Sequence, residues 1–250
     1  MHNPFSLQDK TVLVTGASSG IGRSVAIECS RMGAKVVITG RNTNRLAETM
    51  NMLEGTGHCQ IPADLSSFPE IENLADKCPA LDGISHNAGI ANIIRVKFIT
   101  PSKLEELVGT NTFGPILLTQ QLVKRKKVRK KGSIVFTSSL SGIYCVHYGE
   151  SMYAASKGAV SGFAKGAALE LASQGIRVNC VNPSIIKTNI FKNEGGVLSE
   201  EQMLEKVQYY PLRRLGETTD VAWAHVFLLS DASSWVTGVD LPIDGGYILI

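Results

Sequence analysis

The stretch TVLVTGASSGIG, residues 11–22, joins an apolar β-branched run to a glycine-rich turn and then, without a gap, to the apolar spacing of a helix at Val25, Ala26 and Ile27. Such a strand, turn and helix form a phosphate cradle. Gly16 permits the tight turn, Gly20 lets the backbone come close to a phosphate group, and Gly22 lets the helix pack on the strand. Ser18, Ser19 and Ile21 complete the turn, and the helix N-terminus faces the anion. The spacing is GxxxGxG rather than GxGxxG, so the context carries more weight than the motif.

Outward from that stretch, short strand-like runs recur: AKVVITG from Ala34, CQIPADL from Cys59, LDGISHNAG from Leu81, GSIVFTSS from Gly132, IRVNCVNP from Ile176 and GVDLPIDGG from Gly238. Helical spacing is read over Ile21–Met32, Arg45–Leu53, Ser102–Arg129, Tyr153–Ser173 and Thr219–Leu229. The alternation predicts an α/β protein, a doubly wound, seven-stranded, mostly parallel sheet with helices on both faces. No repeat, low-complexity block or linker divides the 250 residues, so residues 1–250 are read as a single domain. Residues 188–214 form a long insertion where open α/β sheets bind ligands, which makes them a candidate substrate lid.

A net charge of +3, from 25 basic and 22 acidic residues, gives no general drive toward nucleic acid or membranes. Five scattered cysteines suggest neither a disulfide framework nor a metal site, and no leader or membrane span is read, so a cytoplasmic location is expected. The run KRKKVRKK, Lys124–Lys131, raises the alternative of a module that binds nucleic acid or an acidic partner. It is read instead as a solvated helix end, where cations face the helix dipole, and it lacks aromatics for base stacking.

About twenty residues beyond the cradle, the second strand ends in TGRN. In NAD-selective sites an acidic residue there accepts from the ribose 2′-hydroxyl; here Gly40 occupies that place, followed by Arg41 and Asn42. Arg41 is suited to clamp a 2′-phosphate, so NADP(H) is expected over NAD(H). Farther on, SMYAASKGAV places Tyr153 and Lys157 one helical turn apart, and an ammonium beside a phenol is expected to lower the phenol pKa toward working pH.

With TGASSGIG, HNAG, Ser139 and YAASK in this order, the chain resembles the short-chain dehydrogenase/reductase family, in particular its 3-oxoacyl-carrier-protein-reductase-like members, from Leu7 to Gly246. The resemblance implies a Rossmann fold and an NADP(H)-dependent exchange of a carbonyl and a secondary alcohol. It implies Tyr153 as proton donor, Lys157 as its tuner and ribose ligand, Ser139 as the holder of the substrate oxygen, and Asn111 as support for a water relay. Ser138 rivals Ser139, which is preferred because Gly142 follows three residues later. Cofactor contacts are implied for Asp64 and Leu65, for Asn87, Ala88 and Gly89, and for Asn182, Pro183, Ile185 and Thr188.

Two departures stand out. His86 occupies the first asparagine of the family's NNAG, and is either a tolerated change at a strand end or a perturbation of cofactor binding. Ser184 replaces the glycine after Pro183, and is strained if that position needs positive φ. Tyr144, His147 and Tyr148 are candidates for the substrate wall. The resemblance also implies a homotetramer or dimer acting on a small molecule, and the small residues of Tyr153–Ser173 and the apolar tail YILI suit such contacts. A non-catalytic sensor or scaffold is the remaining alternative, against which Asn111, Ser139, Tyr153 and Lys157 together argue.

Overall fold

The computed structural model describes residues 3–188 and 206–250. Seven strands lie in the order β3-β2-β1-β4-β5-β6-β7. They are β1 Thr11–Thr15, β2 Lys35–Thr39, β3 Cys59–Gln60, β4 Leu81–His86, β5 Val128–Thr137, β6 Arg177–Pro183 and β7 Asp240–Ile243. Every neighbouring pair is parallel, so the sheet is wholly rather than mostly parallel. The chain winds outward from β1 through β2 to β3, then returns past β1 to β4 and on to β7, which makes the sheet doubly wound.

Residue alternation along the strands sends side chains to two cores. Val12, Val14, Val36, Ile38, Val135 and Val181 face α1 (Gly20–Arg31) and α7 (Thr218–Leu229). Leu13, Val37, Ile84, Ile134, Phe136 and Val178 face α3 (Phe68–Lys77), α5 (Gly114–Lys124) and α6 (Ser151–Leu171). Two-sided burial is why these strands read as continuous apolar runs. The helix α2 (Thr43–Met50) is capped by the Asn42 side chain, which accepts from the Arg45 N–H at 3.0 Å. Between β3 and β4 the sequence reading missed α3 altogether.

The long helix read over Ser102–Arg129 is three pieces: α4 (Pro101–Val108), a π-helical segment Gly109–Phe113, and α5, which ends at Lys124. Pro115 supplies the cause. It has no N–H to donate to the carbonyl four residues back, that of Asn111, so the α-helical ladder cannot run through this point.

The basic run is likewise not a helix end alone, because β5 begins at Val128, paired with Leu81. Arg125 pairs with Asp76 at 2.6 Å, Arg129 with Asp82 at 2.6 Å, and Lys127 donates to the Asp76 and Cys78 carbonyls. These three cations are spent inside the fold. Among the described residues no helix is long and apolar enough to cross a membrane. Residues 189–205 of the candidate lid lie outside the described residues.

Candidate active site

At the carboxyl end of β1 the chain turns through Gly16, at φ +64°, and Gly20, at φ +55°, where a side chain would be strained. A Cβ on Gly16 would lie 2.8 Å from the Ala88 backbone, so this turn and the one after β4 touch. Gly22 holds the first turn of α1 against the Gly16 peptide, 2.7 Å from where its Cβ would stand. Ser19 makes no side-chain capping bond, so the first-turn amides of α1 remain available to an anion.

The turn is braced from behind. The Arg23 guanidinium donates to the Ser18 carbonyl at 2.7 Å, to Thr49 Oγ1 at 3.0 Å and to Glu48 at 2.9 Å, and Thr49 donates to the Ala17 carbonyl at 2.9 Å. Sequence reasoning passed over Arg23 and Thr49. Their only signal is an arginine directly after the last cradle glycine.

Around the adenosine end of the cradle, Arg41 is exposed and stands 3.8 Å from the Asp64 carboxylate. Asp64 also accepts from the Ser66 N–H and hydroxyl at 2.9 and 2.8 Å. The Leu65 side chain is buried in the core, and the Asn42 side chain is committed to the α2 cap. Toward the other end, Ile21, Asn87, Gly89, Pro183, Ile185 and Thr188 line one cleft together with Ser139, Tyr153 and Lys157. Asn182 is fully buried beneath it.

The i,i+4 spacing on α6 brings the Lys157 Nζ to 5.8 Å from the Tyr153 ring centroid. Lys157 donates to the Thr137 carbonyl at 2.8 Å, which ties it to the end of β5. Of the two serines, Ser139 faces the Tyr153 phenol closely enough to draw its pKa down, and its hydroxyl accepts from the Ser141 N–H at 3.1 Å. The Ser138 hydroxyl instead donates to the Lys157 carbonyl at 3.0 Å and so holds the helix.

The electrostatics differ from the sequence expectation. Burial pushes the Tyr153 phenol up to about 12, assisted by the Glu150 charge and opposed by the Ser139 hydroxyl. Burial brings Lys157 down to about 8. Within the polypeptide, the loss of water therefore outweighs the attraction between ammonium and phenolate, and Tyr153 holds its proton at neutral pH.

Asn111 sits in the π segment with its side chain fully used: it accepts from the Ile90 N–H at 2.8 Å and donates to the Ile90 carbonyl at 2.9 Å and to Ser156 at 3.2 Å. It clamps the loop after β4, while Pro115 leaves its own carbonyl without the ordinary helical donor. Gly89 lies over this clamp, where a Cβ would be 3.3 Å from Asn111 Oδ1 and 3.5 Å from Lys157 Nζ.

Ser184 fits without strain, whereas His86 packs into the core with its Nδ1 buried and unpartnered among the described residues. His86 is buried, stacks on Phe136 with centroids 4.6 Å apart, and bonds Thr119 at 2.9 Å. Burial lowers it to about 3, so it is a neutral core residue turned away from the cleft. Ser184 is absent from the positive-φ residues and is unstrained; its hydroxyl bonds Tyr210 at 2.8 Å.

The cleft has a volume of about 560 Å³. Its wall includes the expected His147 and Tyr148, but Tyr144 turns elsewhere, donating to the Asp240 carbonyl at 2.6 Å. Tyr209 and Tyr210 of the candidate lid stand on this wall, whereas sequence reasoning did not single out Glu150 and missed Tyr247. Glu150 stands three residues before Tyr153, and that spacing could have flagged it. Its Oε2 accepts from Ser141 at 2.6 Å and from the His147 N–H at 3.2 Å, and His147 reaches Tyr247 at 2.8 Å. Tyr247 comes from the C-terminal tail, where no local pattern pointed to the cleft.

A glycine cradle at the β1–α1 turn, with a Ser, Tyr and Lys set across the same cleft edge, defines a dinucleotide-dependent oxidoreductase of the Rossmann type. Residues 16–248 match the family model described as enoyl-(acyl carrier protein) reductase. The chain belongs to the short-chain dehydrogenase/reductase family, whose members use NAD(P)(H) on carbonyl and alcohol groups. It is 33% identical over 246 residues to the 3-oxoacyl-[acyl-carrier-protein] reductase FabG of Rickettsia prowazekii, covering 98% of this chain and 100% of that one. It is 35% identical to the L-xylulose reductase of Caenorhabditis elegans, with 97% of each chain covered. A solved Beutenbergia cavernae chain, assigned as an NAD(P)-dependent gluconate 5-dehydrogenase with bound NADP, superposes with a TM-score of 0.88 at 29% identity, covering 99% of this chain and 100% of that one.

Proposed function

We propose that the chain is a single-domain, cytoplasmic, NADP(H)-dependent reductase that converts a ketone or 3-oxoacyl carbonyl to a secondary alcohol. The observation that carries this reading is the convergence of Ser139, Tyr153 and a tethered Lys157 on the cleft that the cradle opens into. NADPH, held by the cradle of Gly16, Ser18, Ser19, Gly20, Ile21 and Gly22 with Asn87, Ala88 and Gly89, would supply the hydride. Ser139 orients the substrate oxygen, Tyr153 delivers its proton to it, and Lys157 contributes positive charge and ribose contacts. Asn111 keeps the neighbouring loop in place through Ile90. Proton delivery by a positioned phenol is general acid catalysis.

Arg41 supports the choice of NADP(H), since no carboxylate occupies position 40 and the guanidinium is exposed at the end of β2. Calorimetric titration is expected to show tighter binding of NADPH than of NADH. Arg41→Ala should weaken NADPH by about tenfold, the equivalent of one lost charge-assisted contact, and leave NADH unchanged. Equal binding of both dinucleotides by the unaltered protein would remove the cofactor assignment without touching the enzyme reading.

Glu150 bears on the substrate. A carboxylate on the cleft wall repels a second carboxylate by roughly 1 to 4 kcal/mol at about 4 Å, depending on how wet the site is. The reading is therefore a carbonyl compound without a carboxylate near its reacting end. Glu150→Gln is expected to lower KM for keto acids by about tenfold relative to neutral ketones. An unchanged ratio would show that Glu150 serves only to brace the loop through Ser141 and His147.

A homotetramer or dimer is part of the proposal. Trp235, Leu169, Leu249 and Ile250 are 99%, 83%, 81% and 79% exposed, which suits burial against a second copy through isologous contacts. Sedimentation showing a monomer at micromolar concentration would overturn it.

A further inference from the structure

Behind the cleft, on the face of the sheet covered by α7, His225 is fully buried and takes no part in the chemistry above. Its Nε2 lies 3.0 Å from Thr137 Oγ1 and its Nδ1 lies 2.9 Å from Ser85 Oγ. Thr137 Oγ1 lies 2.7 Å from Asn87 Oδ1, and Asn87 Nδ2 lies 2.8 Å from Ser85 Oγ. His225, Thr137, Asn87 and Ser85 thus close a ring of side chains.

The direction of every bond in the ring follows from one fixed point. Asn87 Nδ2 also donates to the Ser85 backbone carbonyl at 3.0 Å, and a carbonyl can only accept, so the amide cannot be flipped. Asn87 Oδ1 must therefore accept from the Thr137 hydroxyl. With its proton spent, Thr137 accepts from His225, whose proton must sit on Nε2. His225 Nδ1 is then an acceptor, served by the Ser85 hydroxyl, which in turn accepts from Asn87.

Two members of the ring hold groups that line the cleft. The Thr137 carbonyl receives the Lys157 ammonium at 2.8 Å. The Asn87 and Ala88 N–H groups donate to Thr15 Oγ1 at 3.0 and 3.1 Å, and Ala88 backs directly onto Gly16. The ring therefore spans the wall between the lysine tether and the cradle. The nearest titratable groups are His86, buried and neutral on the adjoining residue, and Lys157 itself.

We propose that His225 is a positioning residue: locked as the neutral Nε2–H tautomer, it closes a one-way hydrogen-bond ring that sets Asn87 and Thr137, and through them the cofactor turn and Lys157. Burial, which lowers His225 to about 3, agrees with a ring that stays neutral. The functional part of this inference rests on the reductase reading above; the tautomer does not.

The test has two arms. In the first, side-chain ¹⁵N resonances of His225 in the full chain are followed between about pH 5 and 8, where an unconstrained histidine titrates. A proton on Nε2 throughout is expected; an Nδ1–H tautomer or a titration overturns the ring whatever the protein binds. In the second arm, NADPH affinity and turnover are compared in His225→Val, in His225→Gln and in Ser85→Val combined with His225→Val. The single valine leaves buried polar groups unpaired, and a loss on the order of tenfold in both NADPH affinity and turnover is expected. Glutamine, which keeps a donor and an acceptor, is expected to recover most of it.

The double variant removes polar groups on both sides and so restores stability without closing the ring. Its NADPH affinity and turnover are expected to stay low. Full recovery in the double variant, or a folded His225→Val that binds and turns over normally, would reduce His225 to a packing role. An unaltered protein that binds neither NADPH nor NADH would overturn the reductase reading instead, and the tautomer arm alone would then decide the ring.

Discussion

Tyr153→Phe is expected to lower carbonyl reduction by on the order of 10² to 10⁴, the range for loss of a positioned proton donor, with dinucleotide binding retained. The substitution removes one hydroxyl from a partly buried side chain and leaves the ring that faces Lys157 in place, so the fold should be untouched. Single-turnover rates at saturating cofactor measure the effect directly. Full turnover by the phenylalanine variant in a clean assay would show that the proton comes from elsewhere.

The pH profile of the unaltered protein separates the roles of the two residues. The phenol, raised to about 12, stays protonated across the working range, whereas the lysine, lowered to about 8, is an ammonium below that pH and loses its charge above it. Reduction is therefore expected to hold level at neutral pH and to fall as pH rises through about 8. A decline that begins only near the phenol's own ionisation would remove Lys157 from the charge balance.

Gly22→Ala is expected to disable the cradle itself. The new methyl group would stand 2.7 Å from the Gly16 carbonyl carbon and 2.9 Å from the Thr15 carbonyl oxygen, both backbone atoms that cannot swing aside. Either α1 lifts off the turn or the Gly16 peptide rotates, and both displace the amides that face the anion. Overpacking of this kind costs about 1 to 3 kcal/mol of stability. Because the displaced groups are those proposed to hold the phosphates, NADPH affinity should fall by at least about tenfold. Thermal unfolding and calorimetric titration check the two parts separately, and an alanine variant that keeps both values would show that helix and strand need not approach so closely here.

Much of this site was legible before any fold was drawn. TVLVTGASSGIG could be read as strand, cradle and helix because each glycine answers a local steric need, and the Tyr153–Lys157 pair followed from one helical turn. The start of β5 was not legible, since Arg129, Lys130 and Lys131 lie on an exposed entry to the strand and interrupt the apolar pattern that marks one. The break at Asn111 was missed although Pro115 was in view, because the segment around it keeps helical spacing. Ser138 and Ser139 differ by one residue, and only the path of the chain after β5 decides which hydroxyl meets Tyr153.

By itself the sequence determined the alternation of strands and helices, the two-faced sheet and the glycine turn after β1, because each depends on periodicity or on the conformational limits of single residues, whereas the tyrosine and the lysine were singled out for chemistry by the family resemblance. Only the tertiary structure decided that Tyr153 is raised and Lys157 lowered, that Glu150 and Tyr247 share the cleft wall, and that His86 belongs to the core while His225 bonds Ser85 and Thr137. Those facts depend on how much water is lost around a group and on which distant segments converge upon it, and neither quantity is written in the neighbouring residues of the chain.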